Sequence, residues 1–220
     1  MAVTGGRPQV AKLVDVTLTD AALLLIDPPT HLSDDKVYIY SGTDDSVVNP
    51  IVVNSLMSYY LYFIKASNIV ADFDIQSEHC MPTVDYGEPC ATLASPYLGK
   101  CGFDGAGQAF NVIYGSLNPK VDAIAANFQT FDQTPHIPIS RSELSSLSKT
   151  GYIYVPSNCS SGEVSCHLHI SFHGCEQNVE LIGNQYAQHA GYNSWAESNN
   201  VIVVYPYISP SSLIPYNPNG

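Results

Sequence analysis

An α/β fold, a mostly parallel sheet carrying helices on both faces, is predicted by three observations. Five short runs are rich in β-branched and aromatic residues, stretches with apolar spacings of three and four lie between them, and 220 residues with 45% apolar content suffice for one full core. One domain over residues 1–220 is therefore expected.

The strand-like runs fall at 36–40, 68–75, 151–155, 167–172 and 201–205. Pro50 opens a predicted helix whose buried face takes in Val52, Val53, Leu56, Tyr59, Tyr60 and Phe63. Residues 105–117 and 186–198 repeat that pattern. Residues 1–35 give little to assign, and the Ser-, Thr- and Pro-rich stretch 130–149 reads as a surface connection.

Charge narrows the classes of partner. A formal net charge of −12, with 8 Lys plus Arg and no basic cluster, repels phosphate backbones and anionic lipid, so neither nucleic acid nor membrane is expected. The longest apolar run, residues 21–26, is far short of the roughly 20 residues that span a bilayer. A monomer without cofactor or metal is expected.

Six cysteines occur. Cys90 with Cys101, and Cys159 with Cys166, bracket short loops of the kind that disulfides staple, each bridge contributing about 2–4 kcal/mol in an oxidising compartment. The plainer alternative is buried free thiols. Asn158-Cys159-Ser160 is a glycosylation sequon, which agrees with an extracellular protein. No signal peptide is visible at Met1 to Arg7, so a longer natural N-terminus is expected.

Two strand ends carry the chemistry. The run at 36–40 leads into Ser41-Gly42 and then Asp44 and Asp45, where ligands of open α/β sheets gather. The run at 68–75 leads into Glu78-His79-Cys80. An acid and a histidine after consecutive strands suit two members of a catalytic triad, with Asp45 orienting His79 as general base. The alternative is that Asp45 caps the following helix and His79 is a satisfied loop residue.

Four segments decide between these. Ser41-Gly-Thr-Asp-Asp-Ser-Val-Val48, Glu78-His-Cys-Met-Pro-Thr83, the run from Cys90 to Gly107 and His167-Leu-His-Ile-Ser-Phe-His-Gly-Cys175 closely resemble poly(3-hydroxybutyrate) depolymerases. The similarity continues through residues 190–206 and Asn217-Pro-Asn-Gly220. The resemblance implies a circularly permuted α/β-hydrolase fold and a secreted serine esterase that cleaves polyester or short-chain esters through an acyl-enzyme. It implies Asp45 as triad acid, His79 as triad histidine and the backbone N–H of Cys175 as one oxyanion-hole donor.

The resemblance also implies parts that this sequence does not display. No serine has glycine at both minus two and plus two, the nucleophile-elbow pattern, and Ser41 lacks those flanking glycines. The family's tryptophan-rich C-terminal segment is not seen either. The expectation is an incomplete hydrolase fold with no nucleophile of its own and impaired alone, and with Cys80 and Cys175 lacking mates. Other functions left open are a noncatalytic polymer- or sugar-binding protein and a feruloyl or acetyl esterase.

Three further motifs are read plainly. His167, His169 and His173 share a strand face without a carboxylate beside them, which favours hydrogen-bonded histidines over a metal site. Gly105-Ala-Gly107 suits tight packing at a helix start better than phosphate binding. Tyr192 and Trp195, at helical spacing, suit the core.

Overall fold

The computed structural model describes residues 7–137, 145–212 and 216–220. Most of the start read for a leader, and residues 138–144 of the predicted 130–149 connection, lie outside the described residues. In chain order the helices and strands are α1 (Val10–Ala22), β1 (Val37–Tyr40), α2 (Pro50–Tyr60), β2 (Ile69–Asp72), β3 (Met81–Thr83), β4 (Glu88–Pro89), β5 (Leu98–Lys100) and α3 (Gly105–Tyr114), then β6 (Phe128–Asp132), β7 (Thr150–Tyr154), β8 (His167–Ile170), α4 (Val179–Ile182), α5 (Gln185–His189), α6 (Tyr192–Asn199) and β9 (Val201–Tyr205).

The strands form a parallel pair β1-β2, a small parallel sheet β3-β5-β4 and a mixed sheet β6-β7-β9-β8. Parallel pairing prevails overall, at β1-β2, β3-β5, β4-β5 and β8-β9. The pairings β6-β7 and β7-β9 are antiparallel. All five predicted strands are present, the longer ones trimmed at their C-terminal ends: 68–75 stops at Asp72 and 167–172 at Ile170. Beyond those residues the regular ladder ends, and isolated backbone bonds carry the chain on into loops.

The core lies under β9, whose Val201, Val203 and Tyr205 are buried. Phe110 of α3, Tyr186 of α5 and Ala196 of α6 close over it. Where α3 begins, Asp104 caps it by accepting the Gly107 N–H at 2.9 Å. A Cβ on Gly107 would stand 2.7 Å from Trp195 Nε1, so that glycine lets α3 and α6 pack closely. Both Tyr192 and Trp195 pack against the core, half-buried.

Four expectations need correction. The helical stretch 186–198 is two helices, α5 and α6, because Gly191 turns the chain with φ of 100°. The helix opened by Pro50 ends at Tyr60, and Leu56 is 43% exposed while Ser55 is buried, so its inner face is rotated from the predicted one. The 130–149 connection begins inside β6, whose Gln129, Thr130 and Asp132 disguise an edge strand. Helix α1 was not expected. Its β-branched Val and Thr residues are weak helix formers, but Thr17 and Thr19 satisfy their hydroxyls on the Leu13 and Asp15 carbonyls one turn back.

Candidate active site

Backbone brings Asp45 and His79 together first. The β1-β2 pairing persists past the strands: Ser41 N–H donates to Asp72 O at 3.1 Å, Thr43 to Ile75 O at 2.9 Å and Asp44 to Ser77 O at 3.2 Å. The chains run this close because residue 42 is glycine. A Cβ there would stand 2.1 Å from the Ser77 carbonyl oxygen.

Side chains complete the arrangement. His79 Nδ1 lies 2.9 Å from Asp45 Oδ2. The other oxygen, Oδ1, accepts the Val47 and Val48 N–H groups at 2.9 and 2.7 Å. One carboxylate thus closes a turn and holds the imidazole, while Asn49 is the residue that caps α2. The Asp45 side chain is 9% exposed and that of His79 46%. Asp44 instead accepts the Thr43 hydroxyl at 3.1 Å. A buried carboxylate on Nδ1 fixes the ring and leaves Nε2 for proton transfer. Among the described residues no hydrogen bond occupies Nε2.

Glu78, which sequence reasoning missed, ties the two loops. Its Oε2 accepts the Ser46 N–H at 3.0 Å, the Ser46 hydroxyl at 3.1 Å and the His79 N–H at 3.1 Å. Burial opposes its charge, but these bonds outweigh burial and hold the carboxyl below its usual range. Cys80 packs on Gly99, where a Cβ would meet its Sγ at 2.4 Å. Burial first, then the nearby Asp45 charge, pushes this thiol up to about 11, so it stays protonated at neutral pH.

Cys175 comes to the same place from β8. A pocket of about 400 Å³ is lined by His79, Cys80, Tyr97 and Cys175, with Val47 and Leu93 as apolar wall. Gly174 N–H donates to Gln177 Oε1 at 2.8 Å, and Glu176 takes a positive φ of 62°, a strained backbone for a residue with a side chain. Gln177 also donates from Nε2 to the Pro96 and Tyr97 carbonyls at 2.9 and 3.2 Å, and Tyr97 Oη donates to Glu176 at 2.6 Å. Among the described residues no hydrogen bond occupies the Cys175 N–H, which leaves a fixed dipole able to receive developing negative charge. Gln177, 5% exposed, was another residue sequence reasoning passed over. Its signal was its place two residues after Cys175.

Ser41 is 3% exposed with a hydroxyl that meets no hydrogen-bond partner, so it is not the group beside Nε2. Cys90–Cys101 and Cys159–Cys166 are disulfides, which sets aside the free-thiol alternative for these four and fits an oxidising compartment. Cys80 and Cys175 are free. Asn158 is exposed, and its Nδ2 donates to Asn200 Oδ1 at 3.2 Å.

The histidine row serves packing. His169 bonds the Tyr114 hydroxyl at 3.1 Å and lies among Phe110, Tyr114 and Tyr192, and burial lowers it to about 4. His167 stacks obliquely on Tyr114. His173 donates from Nδ1 to Gly174 O at 2.9 Å and accepts the Ile208 N–H on Nε2 at 3.3 Å, which fixes one neutral tautomer. No described helix is long and apolar enough to cross a membrane.

No protein-family profile matches the chain. A poly(3-hydroxybutyrate) depolymerase of Delftia acidovorans is 40% identical over 215 residues, 96% of this chain and 42% of its own. A polyhydroxybutyrate depolymerase of Talaromyces funiculosus is 34% identical over 202 residues, 86% of this chain and 58% of its own. The chain spans about half the length of these curated relatives. The crystal structure of the PHB depolymerase from Penicillium funiculosum matches with a TM-score of 0.85 at 31% identity, covering 97% of this chain and 69% of that one. The chain belongs to the poly(3-hydroxybutyrate) depolymerase family. A second depolymerase structure, a serine-to-alanine variant complexed with an R3HB trimer, matches with a TM-score of 0.87 over the same shares. The mixed α/β architecture described above is thus the depolymerase fold.

Proposed function

We propose that this chain is the acid-and-base part of an extracellular, monomeric serine-type carboxylic ester hydrolase, one catalytic domain acting on poly(3-hydroxybutyrate)-type polyester. The observation that carries the reading is the Asp45–His79 bond of 2.9 Å at a pocket that Cys175 also lines. His79 Nε2 takes the proton of a nucleophilic hydroxyl as that oxygen attacks the ester carbonyl. The Cys175 N–H stabilises the oxyanion, worth roughly 3–4 kcal/mol. Collapse expels the alcohol, which takes the proton back from His79, and water repeats the sequence to release the acid.

Among the described residues no serine lines the pocket at His79, and no Gly-x-Ser-x-Gly stands in these 220 residues. Little turnover by this polypeptide alone follows, because triad members act as a unit. The relatives' names, together with the apolar wall of Val47 and Leu93, support short-chain polyester over sugar esters.

Titrating the labelled protein with R3HB trimer tests the reading. Amide shifts should concentrate at His79, Cys80, Tyr97, Cys175 and Glu176. Shifts elsewhere only, or none, would overturn it. Purified chain that hydrolyses p-nitrophenyl butyrate in a His79-dependent way would overturn the claim that the nucleophile is lacking.

A further inference from the structure

The turn from Gly174 to Gln177 carries four backbone N–H groups, and three of them have partners. Gly174 donates to Gln177 Oε1 at 2.8 Å, Glu176 to the Asn219 carbonyl at 3.0 Å and Gln177 to the Gly174 carbonyl at 3.2 Å. Among the described residues nothing accepts the Cys175 N–H. One donor is thus left over, on a residue that lines the pocket.

The direction of that donor is set by the peptide it shares with Gly174. In a planar trans peptide the C=O and N–H point opposite ways. The Gly174 carbonyl accepts both the Gln177 N–H and His173 Nδ1, the latter at 2.9 Å, so the plane is fixed from its carbonyl side. The side chain of Gln177 holds the Gly174 N–H as well. Residue 174 is therefore gripped at both of its peptide groups by residue 177.

Such a turn does not keep its shape unaided. A bond from the fourth residue to the first carbonyl, with positive φ at the third, has the form of a type II turn, which favours glycine at the third place. Here that place holds Glu176 at φ 62°, and Tyr97, on a separate segment, has a φ of 57°. Positive φ at residues with side chains persists where the surroundings over-determine it. One amide group holds both: Gln177 Nε2 donates to the Pro96 and Tyr97 carbonyls at 2.9 and 3.2 Å while Oε1 holds the turn. Tyr97 Oη closes the circuit on Glu176 at 2.6 Å. Gln177 is 5% exposed, and both its amide hydrogens and its oxygen are used. A Cβ on Gly174 would stand 3.1 Å from Gln177 Oε1, so the glycine lets that amide come close.

We propose that Gln177 is a positioning residue, whose side-chain amide clamps the Gly174–Gln177 turn to the Pro96–Tyr97 segment and thereby aims the Cys175 N–H. The clamp touches no reacting atom. That the aimed N–H receives an oxyanion rests on the esterase reading, whereas the clamp stands on the hydrogen bonds alone.

Nitrogen relaxation and residual dipolar couplings of the labelled full chain test the clamp. In the parent the Cys175 N–H should be as rigid as β9, with an order parameter of about 0.85, and a value below about 0.6 overturns the proposal. Gln177→Met keeps the length of the side chain and loses both polar groups. It should bring the Cys175 value below about 0.6 and cut its dipolar coupling about twofold, while β9 and His79 keep theirs. A role in overall stability alone would lower the melting temperature and leave the Cys175 N–H as ordered as in the parent, which overturns the proposal. If Gln177→Met does not fold, the parent decides: the Gln177 side-chain amide protons should exchange about tenfold more slowly than those of exposed Gln129, and equal rates overturn the clamp. Adding R3HB trimer separates the two readings. It should shift the Cys175 and His79 amides together in the parent, and in the folded variant the Cys175 shift should be lost while that of His79 remains. A Cys175 shift as large in the variant counts against the clamp. An ordered N–H that is lost with Gln177 yet indifferent to the trimer upholds the clamp and counts against the esterase reading.

Discussion

Asp45 divides its carboxylate between two tasks, holding His79 Nδ1 at 2.9 Å with Oδ2 and closing the turn at Val47 and Val48 with Oδ1. The bond that orients the imidazole and the bonds that shape the aspartate's own loop therefore share one rigid group. Removing the carboxyl group removes both.

Asp45→Asn is expected to change the imidazole more than the fold. An amide that presents its NH₂ to the ring favours the proton on Nε2, so long-range nitrogen–proton correlation spectra should show the His79 tautomer shifting from Nδ1–H toward Nε2–H. An unchanged tautomer would remove Asp45 as the orienting group. Asp45→Ala should in addition lower stability by roughly 1–2 kcal/mol, since two part-buried amides lose their acceptor.

Glu78→Ala removes the acceptor shared by Ser46 and His79. The expected cost is about 1 kcal/mol, with faster exchange at the Ser46 and His79 amides. Glu78→Gln, which keeps a carbonyl acceptor, should restore most of that protection. If both variants exchange like the parent, Glu78 does not tie the loops.

The two disulfides are expected to differ in what they protect. Cys90–Cys101 closes 11 residues and its Cys90 carbonyl receives the Glu78 N–H at 2.9 Å, whereas Cys159–Cys166 closes 7 residues far from His79. Paired Ser replacement of either should cost about 2–3 kcal/mol. Only loss of the first should move the His79 and Cys80 resonances.

His169 gives a pH dependence with a defined sign. Its value falls from 6.5 to about 4 on burial, so the unfolded chain binds a proton across that window while the folded chain does not. Stability should therefore decline as pH falls from 6.5 toward 4. In His169→Phe, which keeps an aromatic ring against Phe110, that part of the decline should vanish from melting curves. A slope identical in both proteins would show that burial of His169 does not govern it.

The sequence was most legible where chemistry and backbone coincide. Gly42 is needed because Ser77 passes so closely, and the acid and base follow from the strands on either side of it. All five strands with β-branched runs could be read, since alternation and composition agree there. Helix α1 could not, because Val14, Val16, Thr17 and Thr19 have strand-like side chains and one of its residues alone, Val14, is buried. Glu78 and Gln177 act through side-chain hydrogen bonds, mostly to backbone, and no periodicity marks such contacts.

The lacing of the two loops by main-chain bonds, at Ser41, Thr43 and Asp44, has a consequence for engineering. Acid and base are pinned by peptide groups that every substitution but proline retains, while Leu93, Tyr97 and Glu176 approach from other segments. Rim residues can thus be exchanged to reshape the pocket while the Asp45–His79 pair keeps its alignment.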